Sequence, residues 1–257
     1  MIPANVITSW GETHHWSSRE QIEQDFLLTQ AICEIANNRI LGQELVIRGG
    51  TAFHKLYLPN AFRYSEDLDY VRSSEGGIGH ILDQLTQLGM KLGFKANTKI
   101  GKYPKVYWKG ISESGSPIKI KIEINTYERK PAMPLIKIRH TSEVGSYSSI
   151  ADVRAYQTDE LMATKIRALY QRDKGRDLFD IWLALDFLKL DPAKIIDAFR
   201  VYRPDGFTAV RAIENLNEKL KNERFLSDLD KLSVPNEINY RPDIAVAMVI
   251  DKLLCLL

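Results

Sequence analysis

Residues Gly49 to Tyr70, GGTAFHKLYLPNAFRYSEDLDY, hold the side chains best placed by type and spacing to do chemistry. Successive side chains of an extended strand point to opposite faces, so in Asp67-Leu68-Asp69 the two carboxylates project together and the leucine points away. Adjacent carboxylates repel unless a cation neutralises them. Hard oxygen ligands suit Mg²⁺, which takes one or two carboxylates and completes its shell with water and substrate phosphates. Upstream, Gly49, Gly50 and Thr51 follow the β-branched-rich run Leu45-Val46-Ile47 and open a short helical segment. Backbone N–H groups at such a helix start, with no side chain in the way at the glycines, can approach a phosphate closely. The plainer alternative is a tight turn followed by a surface Asp-x-Asp.

A second charged segment runs from Lys165 to Asp180, KIRALYQRDKGRDLFD. On a continuous helix, Arg172 and Arg176 would each fall within about 20° of Lys165. That makes a cationic row suited to a triphosphate or an RNA backbone. Asp173, Asp177 and Asp180 could equally pair with the row and leave a salt-bridged, solvated helix, and Gly175 weakens the continuity.

One reaction needs all these parts together. Nucleotidyl transfer requires a metal on the triphosphate oxygens, donors for the phosphates, and cations for the charge developing on departing pyrophosphate. Asp67 and Asp69 would hold Mg²⁺; Gly49, Gly50 and Thr51 would hold phosphates; Lys165, Arg172 and Arg176 would neutralise charge. Asp180 or Glu123 could take the proton from the attacking hydroxyl. Glu123 becomes a third metal carboxylate if its strand lies beside Asp67 and Asp69 with its charged side facing the same way; otherwise it is a surface salt bridge among lysines.

The elements that must position these groups follow from pattern. Ser18 opens a helix to about Asn38 with Gln21 at the capping-box position. A strand through Val46-Ile47, the glycine turn, a helix to about Leu58 and a strand from Tyr64 to Val71 come next. Leucines and isoleucines from Ile81 to Leu92 recur at helical spacing, and Gly93 stops them. Residues 94–100 and 105–111 look extended. Ile118, Ile120, Ile122 and Ile124 alternate with Lys119, Lys121, Glu123 and Asn125, which gives a strand with one buried face. Pro131, Pro134, Gly145, Ser146, Ser148 and Ser149 mark a loop-rich passage, and from about Asp152 the chain reads as helical. Thr158 would cap the helix to Tyr170; others follow at 177–188, 192–202, 208–222 and 243–256, the last two divided by Pro235-Asn236. The expected fold is α+β, with a mixed-sheet domain over residues 1–150 and a helical domain over 151–257 that completes the active-site cleft.

Composition sets limits. The chain has 257 residues, 44% hydrophobic, with a formal net charge of +2. Residues 91–140 carry twelve Lys/Arg against three Asp/Glu, a local basicity that suits a polyanion or that guards sheet edges against aggregation. Cys33 and Cys255 are isolated and read as reduced, buried thiols. His14-His15 has no second cluster to complete a metal site and reads as loop. The N-terminus lacks an apolar signal core, and the apolar run Ile244 to Leu257 is too short for a membrane span, so a cytoplasmic protein without membrane contact is expected.

The segments GGTAFHKLY, RYSEDLDY and DELMATKIRALYQRDKGRDLFDIW, in this order, resemble the AbiEii/AbiGii-type nucleotidyltransferase toxins of bacterial type IV toxin–antitoxin and abortive-infection systems. The resemblance spans most of the chain. It implies that Gly49-Gly50-Thr51 is the glycine signature, that Asp67 and Asp69 hold the metal, and that Lys165 and Asp180 are needed for activity. Glu123 sits where many superfamily members have a third acid. In that superfamily the turn is often Gly-Ser and closer to the acids, whereas 16 residues separate Gly50 from Asp67 here. The resemblance also implies NTP as substrate, RNA or tRNA 3′ ends as acceptor, and an antitoxin protein as partner. A protein or small-molecule hydroxyl as acceptor, and a non-catalytic regulator that keeps the fold, stand as alternatives.

Overall fold

The computed structural model describes residues 2–59, 62–145, 147–232 and 238–257. Ser146 and Pro235-Asn236, expected as loop and breaker, lie outside them. The chain divides into two compact units: Met1–Lys130 with Leu135–Tyr156, and Pro131–Pro134 with Gln157–Leu257.

The first unit contains helices α1 (Ala4–Gly11), α2 (Arg19–Asn37), α3 (Leu41–Glu44), α4 (Gly49–Leu56) and α5 (Gly79–Lys91). Its strands are β1 (Leu45–Arg48), β2 (Asp67–Arg72), β3 (Lys95–Lys99), β4 (Lys105–Ile111), β5 (Pro117–Asn125), β6 (Ile136–Val144) and β7 (Tyr147–Ala155). They form one mixed sheet in the order β3-β4-β5-β2-β1-β7-β6. β2 lies between β1, antiparallel to it, and β5, parallel to it.

Alternation decides which face is buried. Ile120, Ile122 and Ile124 of β5 join Val106 and Trp108 of β4 and Leu68 and Tyr70 of β2 in a core that α2 and α5 cover, and Ile118 is buried on the same strand face. Each fully buried aliphatic chain contributes about 1.5–3 kcal/mol. Trp108 donates its indole N–H to the Leu85 carbonyl at 2.9 Å, and α5 passes so close that a Cβ at Gly89 would sit 2.4 Å from that nitrogen. The start of α2 is capped as expected: Ser18 Oγ accepts from Gln21 N at 3.2 Å, while Gln21 Oε1 accepts from Ser17 N at 3.0 Å.

Three expectations need correction. Residues 136–144 and 147–155 pair as antiparallel strands, β6 with β7, in place of a loop followed by helix from Asp152. Cys255 is exposed and only Cys33 is buried, though both are free thiols. Thr158 is the first residue of its helix and Gln157 precedes it as cap, without a side-chain bond. His14 packs as loop, stacked on Trp10 at 3.8 Å between ring centroids.

The second unit holds α6 (Thr158–Gln171), α7 (Gly175–Asp186), α8 (Pro192–Tyr202), α9 (Ala209–Lys219), α10 (Glu223–Leu226) and α11 (Pro242–Lys252). Residues 131–134 belong to it because the buried Glu160 of α6 accepts from Ala132 N at 2.6 Å and Met133 N at 3.1 Å, and also bonds the Tyr202 hydroxyl. No helix among the described residues is long and apolar enough to cross a membrane.

Candidate active site

The glycine turn and the carboxylate strand meet. Gly49 has φ of +82°, a conformation that L side chains rarely adopt, and a Cβ there would lie 2.5 Å from Asp69 Oδ2. Glycine is therefore required at this position twice over, for the backbone and for the approach of the acid. A Cβ on Gly50 would lie 2.2 Å from Arg63 Nη2. α4 begins at these glycines with no side chain capping its first turn, so its leading N–H groups are not taken up by a cap. Thr51 is 2% exposed, and its hydroxyl bonds Ser65 Oγ at 2.6 Å and the Asp67 carbonyl. It ties the helix start to the carboxylate strand.

Register places the acids. Asp67 lies opposite Lys121 and Asp69 opposite Glu123 across the parallel β2–β5 pair, and directly opposed residues share a face. Glu123 thus stands on the same side of the sheet as Asp67 and Asp69. Arg48 flanks Asp69 from β1, and Lys105 flanks Glu123 from β4. Lys121 Nζ bonds Asp67 Oδ2 at 2.6 Å and lies 3.8 Å from Glu123 Oε2, while Lys105 Nζ is 3.1 Å from that same oxygen. Arg48 is engaged by Glu128 at 2.5 Å.

Negative charge remains in excess at Asp69. Burial, then the neighbouring Asp67 charge, push its carboxyl above the usual aspartate range; Arg48 pulls the other way, and Glu123 adds to the rise. Burial alone would weaken the Lys121 ammonium, yet its bond to Asp67 and the surrounding carboxylates hold it above its ordinary value. Among the described residues no three His, Cys, Asp or Glu side chains gather as a cage for a metal. Two half-buried carboxylates on one face, one with its pKa raised by burial and by the other's charge, fit an ion that takes one or two protein oxygens and the rest from phosphates and water.

In the second unit the charged segment is not one helix. α6 ends at Gln171 and α7 starts at Gly175, which breaks the row expected of Lys165, Arg172 and Arg176. Lys165 Nζ instead bonds Asp177 Oδ1 and Asp180 Oδ2, each at 2.8 Å, with both aspartates fully buried. Arg172 grips Asp177 through two nitrogens at 2.7 and 3.0 Å. Desolvation would raise Asp177, but the Lys165 charge and the Arg172 bonds outweigh it and keep the carboxyl below its ordinary value. Arg176 grips Asp228 the same way at 2.9 and 3.0 Å. The buried Lys219 donates to the carbonyls of Leu169 and Arg172 at the end of α6. Sequence reading missed Asp228 and Lys219, since their partners lie about fifty residues away and no local pattern joins them.

A glycine turn pressed against paired strand carboxylates is an arrangement able to take a phosphate and a cation together, and the comparisons with known proteins give the family. The profile of the nucleotidyl transferase AbiEii toxin family, type IV toxin–antitoxin system, matches residues 30–244. The chain belongs to that family and is a nucleotidyltransferase. Among solved structures, MenT4, a nucleotidyltransferase toxin from Mycobacterium tuberculosis, is similar at 16% identity and a TM-score of 0.53, over 97% of this chain and 99% of that one. That likeness concerns the fold. An antigenic nucleotidyltransferase-like protein from Paracoccidioides brasiliensis matches at 15% identity and a TM-score of 0.44, over 82% of this chain and 94% of that one. No curated protein sequence matches.

Proposed function

We propose that the protein is a Mg²⁺-dependent transferase that moves an NMP unit from an NTP to a hydroxyl of an RNA acceptor, tRNA included, in the cytoplasm. In this reading it arrests growth until a cognate antitoxin protein opposes it. The observation that carries the chemistry is the apposition of Gly49 and Asp69, which brings helix-start N–H groups and the carboxylate pair to one place.

Asp67 and Asp69 would hold the Mg²⁺, with Glu123 beside them. The ion, when bound, supplies charge neutralisation at the phosphate oxygens. Gly49, Gly50 and the backbone of Thr51 orient the phosphates from the start of α4. The acceptor oxygen forms a bond to the α-phosphorus while the bond from that phosphorus to its bridging oxygen breaks and pyrophosphate departs. The hydroxyl proton passes to Glu123, the carboxylate that shares a sheet face with Asp67 and Asp69. Alignment of the two oxygens outweighs that proton transfer in such reactions.

Arg172 and Arg176 are the cations of the helical unit that we assign to NTP phosphates. Their side chains are 55% and 34% exposed, against 8% for Lys165. Lys165 and Asp180 enter the proposal as a pair, because each is a buried charge bonded to the other at 2.8 Å.

The test is incubation of the purified protein with total RNA and each of four α-labelled NTPs, with Mg²⁺ or with chelator. Label in RNA that depends on Mg²⁺ supports the proposal. Label in protein or in a small molecule, or transfer undiminished by chelator, overturns it.

A further inference from the structure

The register of the sheet assembles something that no single stretch of sequence displays. Lys95 lies opposite Lys109, and Lys109 opposite Lys119, so three lysines form one row across β3, β4 and β5. A parallel row runs Lys99, Lys105, Glu123, Asp69. Between them a third runs Asn97, Tyr107, Lys121, Asp67. Directly opposed residues share a face, and residues two apart on a strand do as well. All three rows therefore lie on the side away from the core. Lys95, Lys99, Lys109 and Lys119 are exposed.

Like charges directly opposed on a sheet destabilise it, and among the described residues no carboxylate pairs with Lys95, Lys109 or Lys119. Edge protection does not need this arrangement. A few lysines on β3 would blunt the edge, whereas this row continues inward across β4 to β5. Beyond the ends of β4 and β5, Tyr103 and Tyr127 meet edge to face at 6.1 Å between ring centroids, and Lys102 lies 5.5 Å from the Tyr103 ring. Tyr127 is 66% exposed and sits on a pinned turn: Asn125 Oδ1 accepts from Tyr127 N and Glu128 N at 2.8 and 3.0 Å.

We infer that this face of β3, β4 and β5 is the docking track for the acceptor RNA, with lysines along its phosphates and the tyrosines stacking unpaired bases. Charge complementarity selects a polyanion, and the exposed Tyr127, edge to face with the half-buried Tyr103 beside Lys102, selects one that carries bases. The two rows beside the lysine row run without interruption into Asp67, Asp69 and Glu123, where an acceptor hydroxyl must arrive. Lysines two apart on one strand face are about 7 Å from each other, the scale on which successive phosphates of an extended strand repeat. The inference rests on the reading that the acceptor is RNA.

The experiment measures binding of a labelled, unstructured RNA oligonucleotide across a salt series, for the whole protein and two variants that leave the carboxylate site intact. The triple variant Lys95→Gln/Lys109→Gln/Lys119→Gln is expected to bind about 10- to 100-fold more weakly at low salt. Its slope of log affinity against log salt should be shallower by about 2, since each phosphate contact on a single strand contributes about 0.7. Lys109→Glu is expected to weaken RNA binding while its melting temperature holds or rises, because the new carboxylate faces Lys95 and Lys119. Opposite signs in binding and stability separate a docking role from misfolding. An unchanged slope in the triple variant overturns the inference, as does preference of this face for anionic vesicles or an acidic protein over RNA. Transfer of α-labelled NMP to RNA is measured in parallel. Salt-steep RNA binding lost in the triple variant without any transfer by the intact protein sinks the transferase reading and leaves the track. Transfer by the triple variant at the wild-type KM for RNA sinks the track and leaves the reaction.

Discussion

Two regions of this molecule are rich in charge and treat it in opposite ways. In the helical unit Lys165, Arg172 and Arg176 each have a matched carboxylate: Lys165 with Asp177 and Asp180, Arg172 with Asp177, Arg176 with Asp228. On the outer face of the sheet, Asp69 carries a carboxyl pushed upward by burial and by Asp67, and lysines face lysines across three strands. Matched buried charge, as at Lys165 with Asp177 and Asp180, is architecture, since each partner is what makes the other tolerable. Like charge gathered on one face is costly to the fold by itself and is relieved only by something that arrives from outside.

Breaking each region should therefore give opposite results. The largest effect expected is on activity: Asp69→Asn should lower NMP transfer by about 10³-fold or more, the order seen when a group that stabilises developing charge is removed. Its melting temperature should hold or rise, since a desolvated and repelled carboxylate is lost. A steady-state transfer assay beside a thermal melt reads both.

Next in size is stability in the other region. Lys165→Met should destabilise the chain by roughly 3–5 kcal/mol, because it removes the cation that bridges two fully buried carboxylates, Asp177 and Asp180. Urea unfolding measures it, and a loss under about 1 kcal/mol, the range of an exposed pair, would break the contrast between the two regions. Lys165→Met/Asp180→Asn should recover part of the loss.

Gly49→Ala should cost about 1–2 kcal/mol for the left-handed backbone alone. The added methyl group also has to displace Asp69, so transfer should fall further than stability does. Kinetics and unfolding on one preparation separate the two.

The smallest effect is a pH dependence. The Asp177 carboxyl lies below its ordinary value in the folded chain, so the unfolded chain binds the proton first as pH falls. Its stabilising contribution is complete above the unfolded aspartate pKa and is lost as pH drops through the folded one. The stability gap between the wild type and Asp177→Asn should be widest near neutrality and close progressively in acid. A gap that widens in acid would give the wrong sign.

Much of the sheet side was legible in the sequence because it depends on local rules. The β5 alternation, the Ser18 cap and the facing of Asp67 and Asp69 follow from periods of two and of 3.6 residues. The β6–β7 pairing was not legible. Ile136 to Val144 alternates with arginine, histidine, threonine and serine, and with Pro131, Pro134 and Gly145 around it the pattern resembles a polar loop. Those strands take their stability from pairing with each other and from packing on α2, which is tertiary information. The position of Glu123 likewise hinged on one register, Asp69 opposite Glu123, which no spacing along the chain encodes. The Lys165 segment misled for a different reason: a helical wheel assumes one axis, and the chain leaves that axis between Gln171 and Gly175.

The proposed chemistry turns on Asp69 being left undercompensated beside Asp67 so that the pair can hold a cation with the nucleotide. Calorimetric titration of Mg²⁺ into the protein with a non-hydrolysable NTP, for the wild type and for Asp67→Asn/Asp69→Asn, tests it most directly. Saturable Mg²⁺ binding beyond that of the NTP alone is expected in the wild type and none in the folded double variant. Equal Mg²⁺ affinity in the two would contradict it.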